Sequence, residues 1–414
     1  MGEQRALLQV DEALRMVMEH TPGPVGVEEV GLKEALGRVL AEEVVAPCDL
    51  PPFDNSAVDG YALVAEDTRG ATEGGPVALE VAGEMRAGDP PDKVGVTKGK
   101  AVKISTGAPI PKGANAVVKV EETAEGREGK VEVLAEVEVG ENIRRRGEDV
   151  RAGEVALQRG RRIRPFEVGM LAALGIGAVK VYRRPRVALI TTGDEILPWE
   201  RAPSELPPGK IRDSVGPMLK AAILRHGAEP VDLGKARDEL ASLEAKVGEA
   251  QRLGLDVLLI CGGVSVGEHD LVKEALLDLG FKEVFHGVGM KPGKPLLFGL
   301  MEEKLVFGLP GNPVSSMIAF EVFVKPSLSK LMGEEFHPLE VTGILADDLE
   351  GTPGRTHFVR VRLRRGGDGA LRAEPVRKRG SGMISSLTQA DGIVAIPPGT
   401  SLKAGQEVVV RLLG

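Results

Sequence analysis

The chain has few of the residues that several common kinds of site require. Only two cysteines, Cys48 and Cys261, occur among 414 residues, which is too few for a disulfide framework or a cysteine metal cluster. The six histidines show no metal-ligand spacing. Aromatic residues make up 3% of the chain, so it lacks the stacking surfaces on which single-stranded nucleic acid binds. This cysteine usage is typical of a reducing cytoplasm.

The sequence also has no excess of positive charge and no long apolar run. Its formal net charge is −8, which argues against a general nucleic-acid or membrane-surface binder. No apolar run is long enough to span a bilayer, and we predict no signal peptide. We therefore expect a cytoplasmic protein that binds neither nucleic acid nor membrane. With 42% hydrophobic residues, a chain of this length can build roughly two to four domain cores.

The first half of the chain predicts two regions of different character. Helical apolar spacing predicts a helix over residues 3–20, and a second helix is predicted over 32–41. Residues 48–149 are rich in glycine and proline and contain short β-like runs, which predict a small β-rich domain. Residues 150–183 include a short helix after Arg164. We expect them to pack against residues 1–47, so that the β-rich domain is an insertion.

The second half alternates between strand and helix patterns over residues 184–334. Strands are predicted at 187–191, 230–233 and 257–261, and near Val284 and Leu305. Helices are predicted at 217–226, 238–253, 271–279 and 313–331. This alternation predicts a doubly wound, mostly parallel sheet with helices on both faces. Short alternating runs over 335–414 predict a C-terminal β-barrel or sandwich, so the fold class is a multidomain α/β protein.

Three glycine-rich turns follow predicted strands of this sheet. They are TTGDE (191–195), GGVSVGEHD (262–270) and GLPGNPVSS (308–316). In such sheets, ligands bind where the strands end. Glycines let backbone N–H groups approach an anion, and a following helix adds its positive end. Carboxylates in the first two turns suit Mg²⁺, so the pattern indicates a phosphorylated or nucleotide-linked substrate.

Individual residues of these turns are candidates for substrate binding. Those with backbone freedom or with donors for an oxyanion are Gly262, Gly263, Ser265, Gly311, Asn312 and Ser315. The alternative for each turn is a tight joint without a ligand, and Asp270 could simply cap the helix that follows it. Because all three turns are expected at the same edge of one sheet, we favour a site.

Four further segments are polar and contain glycine or proline. They are PPFDNSAVDGYA (51–62), STGAPIP (105–111), ENIRRRGED (141–149) and MKPGKP (290–295). In the last, Lys291 and Lys294 lie on a loop stiffened by prolines, which favours an anion-binding role. Asx turns are the alternative for the first segment, and a solvated charge run is the alternative for the arginines of the third.

Taken in order, the seven motifs resemble the MoeA family of molybdopterin molybdenumtransferases, which is related to the E domain of gephyrin. The resemblance covers essentially the whole chain. It implies a homodimer of four-domain subunits, each with a molybdopterin-binding sheet domain. It also implies a reaction in which adenylylated molybdopterin and molybdate give molybdenum cofactor and AMP, with Mg²⁺ as cofactor. The active site is expected between the sheet domain of one subunit and the β-rich insertion of the other.

The resemblance further implies roles for residues that match the family motifs. The expected catalytic residues are Asp59, Glu195, Asp238 and Asp270, of which the last three are the expected Mg²⁺ ligands. The expected substrate-binding residues from the motifs outside the glycine turns are Thr106, Asp149, Lys291, Lys294, Arg360 and Ser381. The chain departs from the family at Gly287, where a basic residue is common, and at Val215, where asparagine is usual.

Three questions stay open from the sequence. The chain could be a molybdopterin adenylyltransferase, as its sheet domain resembles those enzymes, or a scaffold protein as gephyrin is. The preferred oxyanion could be molybdate or tungstate. The molybdopterin adenylyltransferase is also a candidate partner, because it supplies the adenylylated substrate.

Overall fold

The computed structural model describes residues 7–264, 270–378 and 380–413. The chain begins with α1 (Val10–His20), β1 (Val27–Gly31), a 3₁₀ turn (Leu32–Glu34) and β2 (Val44–Val45). Residues 3–6 of the first predicted helix lie outside the described residues, and among the others the helix runs from Val10 to His20. The helix predicted over 32–41 is wrong, because only the 3₁₀ turn is helical. Val39 and Leu40 instead form strand-like bridges with Arg162 and Val181.

The predicted β-rich insertion follows. Its strands are β3 (Asn55–Ser56), β4 (Gly60–Leu63), β5 (Val77–Met85), β6 (Lys100–Ile104), β7 (Ala116–Lys119), β8 (Thr123–Glu125), β9 (Lys130–Val133) and β10 (Ile143–Arg144). Six of them form one sheet in the order β7-β4-β6-β5-β9-β8. Apolar side chains are buried on both sides of this sheet, in two separate clusters. The insertion thus has its own core.

The chain then returns to its first segment. It adds β11 (Val155–Leu157), α2 (Pro165–Ala173) and β12 (Ala178–Tyr182). β12 pairs antiparallel with β1, and β11 pairs antiparallel with β2. Residues before and after the insertion therefore share strand pairings. The division of the chain into domains stays a prediction.

The next region contains the large sheet. Its strands are β13 (Arg186–Thr192), β14 (Ile196–Leu197), β15 (Ile211–Arg212), β16 (Glu229–Ala236), β17 (Val257–Cys261), β18 (Lys282–His286), β19 (Met290–Lys291), β20 (Leu297–Met301) and β21 (Lys304–Leu309). Its helices are α3 (Val215–His226), α4 (Leu240–Arg252), α5 (Leu271–Asp278), α6 (Pro313–Ala319) and α7 (Lys325–Leu331), the last two joined by a π-helical turn (Phe320–Val324).

The six-stranded sheet has the order β16-β13-β17-β21-β20-β18. The pairs from β16 to β21 are parallel, whereas β20 is antiparallel to both of its neighbours. Two apolar clusters cover the two faces of the sheet. The prediction of a mostly parallel, doubly wound sheet is confirmed, and three of its four parallel strands, β13, β17 and β21, lead into the glycine turns.

The C-terminal region forms the predicted barrel. Its elements are β22 (Glu340–Leu345), β23 (Leu349–Glu350), β24 (Thr356–Arg365), β25 (Leu371–Pro375), α8 (Ser385–Thr388), β26 (Gly392–Ile396), β27 (Ser401–Leu402) and β28 (Glu407–Leu412). The order β24-β25-β22-β28-β26 closes through a pairing of β24 with β26. β19 adds to the barrel through β24. Among the described residues, no helix has both the length and the apolar character needed to cross a membrane.

Candidate active site

A cavity of about 740 Å³ lies where the parallel strands of the large sheet end. Parts of all three glycine turns line it: Gly193 and Glu195, Gly262 and Gly263, and Gly311 with Asn312. Asp213 and Asp238 also contribute to the wall. The prediction that the turns meet at one edge of the sheet is therefore confirmed. A cavity of this size is in the range typical of small-molecule and cofactor sites.

The turns approach one another so closely that side chains would not fit between them. Gly262 has a φ of +98°, and a Cβ on it would lie 2.6 Å from Oγ1 of Thr192. A Cβ on Gly263 would lie 2.7 Å from a methyl carbon of Val272. These glycines thus serve two needs, a left-handed backbone and a close approach between neighbouring turns. The backbone of the second turn consequently forms part of the cavity wall.

The first turn, TTGDE, places a carboxylate in the cavity without starting a helix. It leads into β14, and two lysines fix its backbone. Lys210 donates to the carbonyl of Asp194 at 3.0 Å, and Lys235 donates to that of Ile196 at 2.8 Å. The backbone N–H of Asp194 also donates to Oδ2 of Asp238 at 2.9 Å. This bond ties Asp238 to the turn that carries Glu195, and both of these acidic side chains are exposed.

The third carboxylate of the cavity wall has a structural role. Oδ2 of Asp213 accepts a hydrogen bond from the Thr191 hydroxyl at 3.2 Å, and Oδ1 accepts one from the backbone N–H of Gly216 at 2.9 Å. Asp213 thereby caps the first turn of α3 and links it to β13. The neighbouring Val215, which departs from the family pattern, is buried in the core and offers no polar group.

Among the cavity-lining residues that the sequence did not lead us to expect, two carry buried donors without a partner in the described part of the chain. They are Thr192 and Arg212. Oγ1 of Thr192 and one terminal guanidinium nitrogen of Arg212 are buried and have no hydrogen-bond partner in the described part of the chain. Thr192 lies within the TTGDE motif, and Arg212 lies three residues before Val215, the position that departs from the family pattern. Neither residue was named as an expected site residue.

Asp270, the last residue of the second turn, occupies a different position. Its Oδ1 accepts the backbone N–H of Lys273 at 3.0 Å, so it caps α5 as the alternative prediction suggested. Its Oδ2 lies 3.6 Å from Nε2 of His286. Burial raises the pKa of Asp270 and lowers the pKa of His286. In the described chain Asp270 is not among the residues that line the cavity, and Ser265 lies outside the described residues.

The cavity offers two carboxylates to a divalent cation. Within residues 7–264, 270–378 and 380–413, no group of three His, Cys, Asp or Glu side chains is arranged to hold a metal ion. Glu195 and Asp238 nevertheless line the same cavity, and both are exposed. Mg²⁺ is commonly held by one or two carboxylates, with water and substrate phosphates completing its octahedron. The residues present fit that mode of binding.

The third turn joins the sheet domain to the C-terminal barrel. The backbone N–H of Val314, in the first turn of α6, donates to the carbonyl of Ser381 at 3.1 Å. Asn312 and Gly382 both line the cavity. Ser315 is buried, 4% exposed, and is not among the lining residues of the described chain. Ser381 therefore reaches the site region through its backbone.

Two of the remaining cationic candidates, Lys291 and Arg360, lie on adjacent strands, and Lys294 lies in the loop that follows Lys291. Lys291 ends β19, which pairs in parallel with the start of β24, the strand that carries Arg360. Lys291 is exposed, Lys294 is half-buried, and Arg360 is 3% exposed. None of the three belongs to the cavity wall in the described chain. The structure thus brings the MKPGKP loop to the barrel, and the role of its lysines stays a prediction.

The candidates from the β-rich insertion form a separate group. Oδ1 of Asp59 accepts the backbone N–H of Thr106 at 2.8 Å, so the structure brings these two together. Asp149 is exposed. In the same motif, Arg145 pairs with Asp54 at 2.8 Å. Within the described part of the chain, the residues that line the cavity lie between 192 and 382, and none of them belongs to the insertion.

The chain is similar to proteins of one family along its whole length. Family models match in order: the MoeA N-terminal region (domain I and II) over residues 8–175, a probable molybdopterin binding domain over 188–330, and the MoeA C-terminal region (domain IV) over 342–413. The molybdopterin molybdenumtransferase of Synechococcus elongatus is 37% identical over 393 residues, 94% of this chain and 95% of that protein. The molybdopterin molybdenumtransferase of Bacillus subtilis is 37% identical over 418 residues, which cover 100% of this chain and 96% of that protein.

Solved structures agree with these relatives. The molybdopterin biosynthesis moeA protein from Pyrococcus horikoshii OT3 superposes with a TM-score of 0.85 at 37% identity. The match covers 98% of this chain and 100% of that one. The family models, the full-length relatives and the superposed structure all match the same family. The chain therefore belongs to the MoeA family of molybdopterin molybdenumtransferases.

Proposed function

We propose that the protein inserts molybdenum from molybdate into adenylylated molybdopterin, giving molybdenum cofactor and releasing AMP. The observation that carries this proposal is the cavity in which three glycine turns meet the exposed carboxylates of Glu195 and Asp238. A phosphoanhydride needs backbone N–H groups close to its oxygens and a means of neutralising its charge. The names of the full-length relatives support the same activity.

Different residues of the chain would bind the two substrates, adenylylated molybdopterin and molybdate. The N–H groups of the glycine turns would position the phosphates, and Glu195 with Asp238 would hold Mg²⁺. When bound, Mg²⁺ would neutralise phosphate charge and stabilise the leaving oxygen. Molybdate is a tetrahedral oxyanion and would be bound by cationic and hydroxyl donors. The candidates for these donors are Lys291, Lys294, Arg360 and Ser381. No covalent bond to the protein is required, so positioning would supply most of the acceleration.

We further propose that the site is completed by a second copy of the chain. Asp59, Thr106 and Asp149 are expected site residues, yet none of them is among the described residues that line the cavity. The insertion has its own core, so it can present its loops to the sheet domain of another subunit. We place this homodimer in the cytoplasm, with the molybdopterin adenylyltransferase as the protein that hands over the substrate.

The test is the release of AMP from adenylylated molybdopterin. The proposal predicts release that requires both molybdate and Mg²⁺, together with formation of a product that activates an apo-molybdoenzyme. Release of AMP without molybdate, with no active product, would contradict metal insertion. Consumption of ATP with formation of adenylylated molybdopterin would instead identify an adenylyltransferase.

A further inference from the structure

Arg212 is the cation of the cavity wall that the expected site residues did not include. It lies on β15 and shares the cavity with Glu195, Asp213 and Asp238. Despite these three acidic neighbours, it forms no ion pair within the described residues. Its Nε donates to the carbonyl of Arg201 at 2.8 Å, and one terminal nitrogen is buried with no partner. A buried donor left without a partner destabilises the folded chain, which indicates a position kept for a ligand.

The segment around Arg212 holds the guanidinium in place. β14 and β15 pair in parallel, Ile196 with Ile211 and Leu197 with Arg212, and the loop 198–210 connects them. The backbone N–H of Arg201 closes a turn on the carbonyl of Pro198 at 3.3 Å. The bond from Nε of Arg212 to the Arg201 carbonyl then fixes the plane of the guanidinium. An anion would therefore meet a side chain that is already ordered, at a low cost in entropy.

A second unpaired donor in the same wall points to the same kind of ligand. Thr192 is 2% exposed, and its Oγ1 has no hydrogen-bond partner in the described chain. It lies against Gly262, the first glycine of the second turn. The wall thus combines a hydroxyl, a guanidinium and glycine-turn backbone. These groups donate hydrogen bonds, and the planar fork of arginine suits phosphate in particular.

We propose that Arg212 binds a phosphate of the nucleotide part of the substrate and that Thr192 donates to the same group. This assignment rests on the proposed function for the identity of the substrate. Arg212 would then be a binding residue that holds the phosphoanhydride at the cavity wall. The carboxylates of Glu195 and Asp238 remain available for Mg²⁺, since Arg212 pairs with neither of them.

The experiment compares the binding of AMP and adenosine to the full-length protein by calorimetry. Arg212→Met should weaken AMP binding by about 10- to 100-fold, as expected for a lost hydrogen bond to a charged group. Arg212→Lys should recover part of the affinity, because it keeps the charge but not the fork. Thr192→Val should weaken AMP binding by about 5-fold. Adenosine binding should change in none of these variants.

Arg201→Met is the matched control. Arg201 is exposed, and only its backbone carbonyl receives Arg212, so this variant removes the same charge from the same loop without touching the contact. AMP binding should be unchanged in it. The fluorescence of Trp199, the single tryptophan, which is 57% exposed in this loop, reports whether a variant has rearranged the loop. Arg212→Lys and Thr192→Val keep the test valid if Arg212→Met unfolds.

Each outcome decides between the two proposals. AMP binding that is equal in wild-type protein, Arg212→Met and Arg212→Lys overturns the phosphate contact, even if AMP release proves dependent on molybdate. Wild-type protein that binds adenosine as tightly as AMP overturns it as well. AMP binding that depends on Arg212, in a protein that releases no AMP from adenylylated molybdopterin, supports the phosphate contact and refutes the proposed function.

Discussion

Glu195 is the residue whose side chain most depends on the local backbone of the site. A Cβ on Gly193 would lie 2.7 Å from Oε2 of Glu195, so the carboxylate folds back over this glycine, whose φ of +131° also favours glycine. We predict that Glu195→Gln lowers kcat for AMP release by about 100-fold, because a neutral amide holds Mg²⁺ poorly. Steady-state kinetics at saturating Mg²⁺ measure this effect.

The control for this prediction is Glu200→Gln. Glu200 is an exposed acid of the adjoining loop and does not line the cavity in the described chain. Its variant should keep the wild-type kcat. Equal rates for Glu195→Gln and wild-type protein would remove Glu195 from the role proposed for it.

Glu167 shows how a single buried acid makes stability depend on pH. Hydrogen bonds from Arg164, above all, lower the pKa of Glu167 from its ordinary 4.5 to about 2, and Arg161 adds to the effect. Because the folded-state pKa is depressed, the stabilisation is fully present above about pH 4.5. It is lost as pH falls from there through about 2.

We predict that Glu167→Gln lowers the free energy of unfolding by about 2 kcal/mol at pH 7. Urea unfolding of wild-type protein and variant should show this difference shrinking as the pH falls from 4.5 toward 2. A difference that stays constant over this range would mean that the charge of Glu167 contributes nothing. Glu42→Gln is a suitable comparison, since Glu42 makes only an exposed ion pair with Lys180 and should change stability little.

At the scale of elements, the site depends on contact between two turns. Gly262→Ala places a methyl group 2.6 Å from Oγ1 and 2.8 Å from the carbonyl oxygen of Thr192. We predict a loss of about 3 kcal/mol in the free energy of unfolding, with loss of substrate binding as the turns separate. Thermal unfolding and calorimetry measure the two effects.

Gly280→Ala is the control that measures backbone strain in the absence of a steric contact. Gly280 also has a positive φ, +86°, but a Cβ there would meet nothing within 4 Å. Gly280→Ala should therefore lower the free energy of unfolding by only roughly 1 kcal/mol, the cost of a left-handed alanine, and should keep substrate binding. If Gly262→Ala behaves like Gly280→Ala, the close approach of the two turns does not matter for the site.

Three strands of the large sheet, β13, β17 and β21, could be predicted because each is apolar and leads into a glycine turn. β17 (Val257–Cys261) was predicted residue for residue, and the strands and helices around it were close. β20 (Leu297–Met301) was missed. It follows the MKPGKP loop directly and pairs antiparallel, so it does not belong to the alternation of strand and helix that made the other strands visible.

The failed helix over 32–41 has a different cause. Its apolar residues have helical spacing, but Leu40 bridges Val181 and Val39 bridges Arg162. These partners lie more than a hundred residues away in sequence, on the far side of the insertion. Tertiary pairing overrode local propensity, and no local pattern could have revealed it.

The site itself was predictable only in part. The glycine turns, with Glu195 in the first of them, carried a local signal because they follow apolar strands, whereas Asp238 was expected only from the resemblance to the family. Arg212 carried none, since its significance comes from a buried nitrogen without a partner. Asp270 had two possible roles from sequence, and the structure shows the capping role.

At the scale of the whole molecule, the expected site is distributed over distant parts of the chain. The cavity is formed by the sheet domain and by Gly382 of the C-terminal region. Asp59 and Thr106 are bonded to each other within the insertion and do not line this cavity in the described chain. A two-fold dimer would bring the insertion of each subunit to the cavity of the other, since contacts in such a dimer are reciprocal.

This arrangement is tested most directly by mixing two inactive variants. Asp59→Asn removes the charge that the insertion would contribute while keeping an acceptor for Thr106, and Glu195→Gln disables the cavity. Random reassociation would give about half heterodimers. Each of these would combine one site carrying both substitutions with one fully wild-type site, so the mixture should regain about a quarter of the wild-type rate of AMP release. A mixture that forms heterodimers yet stays as inactive as either parent would contradict an active site shared between subunits.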